Sequence, residues 1–348
     1  MYVNVLFGLL LIEIISRLWL RFIADPERHR QFALYKDVKN VLYSSHPYLS
    51  YYLTPDYRDS LTSHNSLGYR GKEIESVKAA GVYRIALLGG STTYDTSIKD
   101  NDKTFAAQLE KILRDKYGYA RLEVINAGVG AYTSWESLVN LEFRVLDLDP
   151  DLVVVYHAMN DVKTRLVAPS AYRSDNSGYR KNWEDPGIRL WEYSCFLRIL
   201  SRMARITRQV NANDFTRVPA SIWVHNCADP MGHLRDNPPK YFIRNLQNMV
   251  AVSRENRAQI MFSTFAYNKV KKTYGDKTEI YYQGVDEHNE VLRRFAADHH
   301  VALLDFAAVM PGDEKYYTDM CHLNESGCLE KAEIFAAYIE DNFLNKGS

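Results

Sequence analysis

The chain has 348 residues, and its 43 lysines and arginines balance 43 aspartates and glutamates, so its formal net charge is zero. With 46% apolar and 25% charged residues it has the composition of a globular protein, which excludes wholesale disorder and a multi-span membrane protein. The balanced charge also argues against nucleic acid as a partner, because neutralising phosphates requires clustered lysine and arginine.

The N-terminal segment is the most apolar part of the chain. As a helix, residues 3–23 would cover about 31 Å, which is the thickness of one bilayer core. Glu13 and Arg17 interrupt the apolar run, but their spacing of four lets them pair on one helix face. We predict that residues 1–25 are a membrane anchor, with an amphipathic surface helix as the alternative. A cleaved signal peptide is disfavoured, because no cleavage site of short residues follows.

Beyond a polar, tyrosine-rich lead-in at residues 26–81, strands and helices alternate. The predicted strands are short apolar runs at 84–88, 122–125, 151–156, 259–263 and 301–305. The predicted helices include 134–146, 240–256, 284–299 and a last helix with Ala332, Phe335, Ile339 and Phe343 on one stripe. Residues 163–238 break the rhythm and are interpreted as an insertion with one helix at about 194–210, covering one end of the sheet. The alternation predicts a parallel sheet with helices on both faces and a ligand site at the carboxyl ends of the strands.

The first two strand ends supply a hydroxyl and a loop of small residues. Gly89 and Gly90 permit a sharp turn that would expose the Ser91 hydroxyl at the start of a helix, where backbone N–H groups can hold an oxyanion. Residues 126–133 (NAGVGAYT) are mostly small, which leaves the N–H groups of that loop accessible to a ligand. Each feature alone is equally typical of an ordinary turn. The first is neither a P-loop nor the nucleophile elbow of α/β-hydrolases, because Thr93 replaces the second glycine of that elbow.

Two further strand ends add an amide and an Asp–His pair. Asn160 can offer an amide N–H to a developing negative charge, although Asn160 or Asp161 could instead cap a helix. Asp319 and His322 are three residues apart, so the carboxylate can hold one imidazole nitrogen while the other faces a nucleophile. Together the four strand ends provide a nucleophile, oxyanion donors and an oriented base, which are the groups that acyl transfer needs.

These four motifs resemble, in the same order, those of the SGNH/GDSL hydrolase superfamily. The matching residues are Gly89-Gly90-Ser91, 126–133, Ala158-Met159-Asn160-Asp161 and Asp319-Met320-Cys321-His322. The resemblance implies a flavodoxin-like three-layer α/β sandwich with a five-stranded parallel sheet, Ser91 as the nucleophile, His322 as the base and Asp319 as its orienting partner. It further implies an oxyanion hole made of the N–H groups of Ser91 and Ala131 and the amide of Asn160.

Two residues depart from the family pattern. Ala131 stands at the position of an oxyanion-hole glycine, and its backbone N–H can serve provided that its φ is negative. Ala158 replaces the glycine of the third motif, which narrows the pocket and leaves Asn160 in place.

Two signals disagree about the location of the domain. The GGS form of the first motif and residues 64–71 (HNSLGYRG), for which a structural turn is the expected role, resemble a bacterial branch with an N-terminal anchor. That resemblance favours the extracytoplasmic, periplasmic side of a membrane. Arg17 and Arg21 at the end of the apolar run favour the cytoplasm by the positive-inside tendency, so the orientation stays open.

We predict a serine esterase that removes O-acetyl groups from a glycan. Aromatic faces suit stacking on sugar rings, and several aromatic residues lie in or near loops that could border the site: Tyr132, Trp135, Trp183, Trp191 and Trp223. The alternatives are a lipase or thioesterase, an acyltransferase that uses the same Ser91, and a non-catalytic glycan-binding protein of the cell envelope. No cofactor is predicted, and no metal, because the ten histidines show no HxxxH or HxH spacing. The oligomeric state is left open.

The chain is thus divided into a membrane anchor at 1–25, a lead-in segment at 26–81 and one hydrolase domain at 82–345 that contains the insertion 163–238. The anchor and lead-in together are interpreted as an anchor with a stalk. Cys321 and Cys328 either form a disulfide in an exported chain or are unrelated thiols.

Overall fold

A computed structural model describes residues 2–38, 40–218 and 227–345 of the chain. The strands in chain order are β1 (Tyr43–Ser44), β2 (Tyr52–Leu53), β3 (Arg58–Asp59), β4 (Thr62–Ser63), β5 (Tyr83–Gly89), β6 (Leu122–Asn126), β7 (Leu152–Tyr156), β8 (Gln259–Ser263) and β9 (Ala302–Leu304). The α-helices are α1 (Tyr2–Phe22), α2 (Pro26–Phe32), α3 (Ser91–Tyr94), α4 (Phe105–Asp115), α5 (Ser134–Asn140), α6 (Met159–Arg165), α7 (Cys195–Met203), α8 (Ala212–Thr216), α9 (Pro230–Asp236), α10 (Lys240–Glu255), α11 (Thr278–His299), α12 (Phe306–Val309) and α13 (Glu325–Ile339).

Strands β5 to β9 form one parallel sheet in the order β6-β5-β7-β8-β9, with apolar layers on both faces. Alternate residues of β5 reach opposite layers, Ile85 and Leu87 on one side and Ala86 and Leu88 on the other. Helices α4 and α13 cover the first face, and α5 and α10 cover the second. The predicted three-layer α/β sandwich with a five-stranded parallel sheet is therefore confirmed.

The predicted strands agree with the observed ones to within one residue at either end, whereas several helices differ. The helix predicted at 134–146 leaves α-geometry after Asn140 and continues as a wider turn and then a tighter one. Helix α11 begins at Thr278, before the predicted 284. Helix α7 ends at Met203 instead of 210, because Arg205 adopts a left-handed φ of 56° that turns the chain away.

The lead-in segment packs on the sandwich, so the stalk interpretation is wrong. Leu49 and Tyr51 are buried in one apolar cluster with Val129 and Tyr132, and the Tyr51 hydroxyl donates to the carbonyl of Gly130 at 2.6 Å. A segment buried in this way is held at a fixed position beside the carboxyl edge of the sheet.

Helix α1 lies against the insertion. The carboxylate of Glu13 accepts hydrogen bonds from the Ser194 hydroxyl at 2.8 Å and from the N–H groups of Cys195 at 2.9 Å and Phe196 at 3.0 Å. Glu13 also pairs with Arg17 at 2.6 Å, as their spacing predicts. Among the helices of the described ranges, α1 alone is long and apolar enough to cross a membrane.

Candidate active site

Ser91, His322 and Asp319 form a chain of hydrogen bonds at the carboxyl edge of the sheet. The Nε2 atom of His322 lies 2.8 Å from Ser91 Oγ, and its Nδ1 atom lies 2.7 Å from Asp319 Oδ2. Ser91 begins α3 directly after β5, while His322 and Asp319 lie in the loop before α13. If Nδ1–H donates to the carboxylate, Nε2 is free to accept the proton of the Ser91 hydroxyl, which is what a nucleophile needs from its base.

The two glycines before Ser91 are sterically required by the turn. A Cβ at Gly89 would lie 2.0 Å from Thr93 Oγ1 and 2.8 Å from the Tyr156 carbonyl oxygen. A Cβ at Gly90 would lie 2.6 Å from the Nδ2 atom of Asn160. Gly90 therefore lets the Asn160 amide come close to the backbone next to Ser91.

Residues 64–71, the HNSLGYRG stretch, hold the helix that begins with Ser91. The Arg70 guanidinium donates to the carbonyl oxygens of Tyr94 at 2.9 Å, Asp95 at 2.8 Å and Ile98 at 2.6 Å. These carbonyls lie at and just beyond the end of α3, and Arg70 itself is buried. The stretch thus has a structural role, in which Arg70 supports the helix that begins with Ser91.

The residues of the three predicted oxyanion donors, Ser91, Ala131 and Asn160, line one cleft together with His322. Within the described residues, the N–H groups of Ser91 and Ala131 donate to no protein atom. The Asn160 Nδ2 group donates one hydrogen to the Tyr132 carbonyl at 2.9 Å, so its second hydrogen has no protein acceptor in these ranges.

The expectation of a negative φ at Ala131 is wrong, because its φ in the structure is 62°. The N–H of Tyr132 donates to the Val129 carbonyl at 3.1 Å and closes a turn in which Ala131 is the third residue. A turn with positive φ at that position favours glycine, and an alanine there is strained by about 1–2 kcal/mol. Ala131 thus keeps a glycine-type conformation without being a glycine. Its N–H has no protein acceptor in the described ranges and lies on the same cleft as Ser91, so the donor role does not require the negative φ that was expected.

Charge at the site is concentrated in the Asp–His pair. Burial alone would lower the pKa of His322, but its hydrogen bonds to Asp319 and Cys321 and the charge of the Asp319 carboxylate raise that pKa to about 10. Burial would raise the pKa of Asp319, and hydrogen bonds from the His322 ring and from the N–H groups of Cys321 and His322 lower it to about 2. At neutral pH the free site therefore holds an imidazolium–carboxylate pair, and the neutral base is the minor form.

Lys163 is a site residue that the sequence analysis missed. Its Nζ lies 3.2 Å from Asn160 Oδ1, and the half-buried side chain lines the space around Ser91. Because the ammonium can only donate, it fixes which end of the Asn160 amide carries the N–H groups. Burial lowers the pKa of Lys163. A signal for Lys163 was present in the sequence, because it follows Asn160 by three residues where a helix is expected to begin. Residues at that spacing lie on the same face of a helix.

The site opens into two unequal spaces. A pocket of about 50 Å³ lies beside Ser91, and its lining combines polar side chains with the apolar Met159, Phe265 and Met320. A cleft of about 1030 Å³ extends from Ser91 between the lead-in segment and the insertion. Its aromatic lining residues are Tyr35, Tyr43, Tyr51, Tyr57, Trp183 and Phe215.

Most of the aromatic residues predicted near the site lie elsewhere. Trp183 lines the cleft and stacks on Phe215 with ring centroids 4.0 Å apart. Tyr132 is fully buried, while Trp135 and Trp191 do not line the cleft. Trp223 lies outside the described residues.

Asp319, Cys321 and His322 are also the one group of potential metal ligands found in the described ranges, with ligand atoms within 4.8 Å of one another. Two of these side chains already bond to each other as described above. Cys321 and Cys328 are both free and buried, so the two are separate thiols.

Comparison with known proteins gives a family match and several similar folds. The profile of the GDSL-like lipase/acylhydrolase family matches residues 87–328. A lipase/acylhydrolase from Enterococcus faecalis is 17% identical with a TM-score of 0.47, over 77% of this chain and 100% of that chain. The acetyl xylan esterase AlAXEase is 14% identical with a TM-score of 0.44, over 74% of this chain and 99% of that chain. TesA is 16% identical with a TM-score of 0.43, over 74% of this chain and 98% of that chain. No curated protein matches the sequence.

Proposed function

Since the chain belongs to the GDSL-like lipase/acylhydrolase family and is a serine ester hydrolase, we propose that it removes O-acetyl groups from a glycan by means of Ser91, His322 and Asp319. The hydrogen-bonded chain from Asp319 through His322 to Ser91 supports these roles. The small pocket beside Ser91 is the observation that carries the choice of acyl group.

In the acylation step, Nε2 of neutral His322 takes the hydroxyl proton while Ser91 Oγ attacks the ester carbonyl carbon. The resulting oxyanion accepts hydrogen bonds from the Ser91 N–H, the Ala131 N–H and the free hydrogen of the Asn160 amide. His322 then gives its proton to the departing sugar oxygen, the ester C–O bond breaks, and Ser91 carries the acetyl group.

In the deacylation step, a water molecule takes the place of the departed sugar hydroxyl. His322 removes a proton from this water, whose oxygen attacks the acetyl carbonyl, and the same three donors hold the second oxyanion. Acetate leaves as the proton returns to Ser91 Oγ. Asp319 stays ionised throughout and keeps the imidazole in position.

The dimensions of the pocket favour acetate over a fatty acid. The pocket has a volume of about 50 Å³. Since a cavity needs about 10–15 Å³ to hold one water molecule, this pocket holds a few groups of that size. An acetyl methyl group fits such a space, whereas a long acyl chain would have to extend into the larger cleft. The apolar side chains of Met159 and Phe265 suit a methyl group.

The larger cleft suits the alcohol side of the ester. It is far larger than the pocket, and Trp183 offers a flat surface against which a sugar ring can lie. Polar side chains able to bind hydroxyl groups line the same cleft: Asn40, Asp185, Gln209, Asn211 and Asn213. We further propose that residues 1–25 anchor the hydrolase domain (82–345) and its lead-in (26–81) to the extracytoplasmic face of a membrane.

The test compares p-nitrophenyl acetate, p-nitrophenyl palmitate and an O-acetylated oligosaccharide, using the purified full-length chain and its Ser91→Ala variant. We expect free acetate from the oligosaccharide, acetate esters preferred over palmitate, and no turnover by the folded variant. A preference for palmitate would indicate a lipase or thioesterase. Acetyl transfer to a second sugar without free acetate would indicate an acyltransferase, and glycan binding without turnover would indicate a binding protein.

A further inference from the structure

Helix α7 has the reverse of the polarity expected for a helix on a soluble surface. Leu197, Leu200 and Met203 are exposed by 43%, 51% and 68%, while Arg198 and Arg202 are buried. The three exposed residues recur every third position and so lie on one side of the helix. Surface helices of globular proteins turn their apolar stripe inward and their charges outward. The outward side of α7 is therefore suited to contact with an apolar surface.

The buried arginines fix this orientation. Arg198 Nε donates to the carbonyl oxygen of Phe32 at 2.7 Å, and Arg202 Nη1 donates to that of Ala33 at 3.0 Å. These bonds tie one side of α7 to the end of α2. Turning the helix over would break them and take these donors away from the carbonyl oxygens of Phe32 and Ala33, so its apolar side stays outward.

Exposed apolar residues continue beyond both ends of α7. Leu190 and Tyr193 before the helix are exposed by 91% and 53%, and Ile206 after it is exposed by 77%. We call Leu190, Tyr193, Leu197, Leu200, Met203 and Ile206 together the α7 surface. A concentration of apolar residues on this scale marks an interaction with a protein or a membrane.

The α7 surface adjoins the helix suited to a membrane. The N–H groups of Cys195 and Phe196, which begin α7, donate to Glu13 of α1. Nearer the end of α1, Leu20 belongs to the same apolar cluster as Cys195 of α7. Ile199 of α7 packs against this cluster. The two helices thus lie side by side along the second half of α1, whose exposed residues are Ile14, Ile15, Leu18 and Phe22 together with Arg17 and Arg21.

We propose that the α7 surface lies in the interfacial layer of the bilayer that the first half of α1 enters. A carboxylate on a membrane helix is stable only when it is paired, and α7 supplies Glu13 with N–H and hydroxyl donors. The catalytic domain is then held against the lipid by two adjoining helices. The inference does not depend on the chemistry at Ser91, but it rests on the proposed membrane anchor in residues 1–25.

The arrangement would set where the cleft lies relative to the lipid. One end of the cleft is lined by Arg30, Tyr35 and Val38, and Val38 belongs to the same apolar cluster as Leu20 and Cys195. That end of the cleft therefore lies beside the pair of membrane-contacting helices. A glycan bound there would extend close to the membrane surface.

The test uses site-specific fluorescent labels on the full-length chain in liposomes of phosphatidylcholine and phosphatidylglycerol. Because the four native cysteines are buried, Leu200→Cys and Met203→Cys can each be labelled selectively with bimane. Val309→Cys on α12 is the matched control, since Val309 is apolar and exposed by 53%. Retained hydrolysis of p-nitrophenyl acetate verifies that each variant is folded.

We expect lipids brominated near the headgroup end of the chain to quench the labels at 200 and 203, at a depth of about 5–10 Å, and to leave the label at 309 unchanged. Labels at 200 and 203 that behave like the label at 309 would overturn the proposal. Self-quenching between labelled copies without lipid quenching would show that a second copy covers this surface, and would also overturn it. A folded chain that does not associate with the liposomes would contradict both the proposed anchor in residues 1–25 and the membrane contact of the α7 surface.

Discussion

In the proposed mechanism, His322 controls when the chemistry can occur, because only its neutral form accepts the Ser91 proton. The hydrogen bonds to Asp319 and Cys321 and the charge of the Asp319 carboxylate raise the pKa of His322 to about 10 against the effect of burial. We therefore expect kcat/KM for an acetate ester to rise by about tenfold per pH unit through neutrality and to level off near that pKa. The measurement is a pH–rate profile corrected for spontaneous hydrolysis. A profile that is already level below pH 7 would contradict this account.

The same pKa affects stability in the opposite direction. A histidine whose pKa is raised from 6.5 to about 10 by folding stabilises the folded state fully below pH 6.5, and this contribution is lost as the pH rises through 10. The Asp319 contribution is present above its ordinary pKa of 3.8 and is lost as the pH falls towards 2. The site is thus most strongly held together in the pH range where its base is least available.

Gly90 determines how closely the Asn160 amide approaches Ser91. Gly90→Ala places a Cβ 2.6 Å from the Asn160 Nδ2 atom and so displaces that amide. We expect kcat to fall by about 10²–10³, as for loss of one oxyanion donor, with a thermal midpoint near that of the native chain. Gly187→Ala is the control, because a Cβ there meets nothing within 4 Å. Unchanged kcat in Gly90→Ala would argue against Asn160 as a donor.

At the scale of single residues, the sequence predicted which side chains meet but not how the backbone holds them. Residue type and order at the strand ends were enough to single out Ser91, Asn160, Asp319 and His322. The positive φ of Ala131 depends on a turn closed by the Tyr132 N–H, which residue type does not reveal. Lys163 was missed because lysines are usually solvated, and only its contact with Asn160 distinguishes it.

At the scale of elements, Arg70 links the lead-in segment to the helix of the nucleophile. In Arg70→Met, the carbonyl groups of Tyr94, Asp95 and Ile98 would lose their donor in a buried setting. We expect the free energy of unfolding to fall by about 3 kcal/mol or more and kcat to fall with it, because α3 loosens. Denaturant unfolding and steady-state kinetics measure both effects. The control is Arg58→Met, at an exposed arginine of the same segment, which should change neither the free energy of unfolding nor kcat. Native-like stability and kcat in Arg70→Met would contradict the role of Arg70 in holding α3.

The predictability of the elements follows from how they are buried. Strands β5 to β9 lie between two layers of helices, so their residues form short apolar runs whose ends are visible in the sequence. The lead-in and the insertion are built from short strands, tight turns and single polar anchors such as Arg70, which leave no periodic pattern. Their shared cleft was therefore not predicted, and the stalk interpretation failed for the same reason.

At the scale of the whole molecule, Glu13 joins α1 to the catalytic domain. Glu13→Ala removes the acceptor for the N–H groups of Cys195 and Phe196, so we expect hydrogen exchange of these two amides to speed up strongly while the sheet amides stay protected. Exchange is measured by NMR on the full-length chain. Glu27→Ala on α2, at an exposed position, is the control. Native protection of both amides in Glu13→Ala would mean that α1 is not held by this contact.

The claim on which the whole account depends is that Ser91 is the nucleophile activated by His322. Its most direct test is labelling the full-length chain with a fluorophosphonate and locating the phosphonylated residue by peptide mass spectrometry. We predict modification of Ser91 alone, and loss of labelling in a folded His322→Ala variant. Modification of another serine, or equal labelling of Ser91 after His322 is removed, would contradict the account.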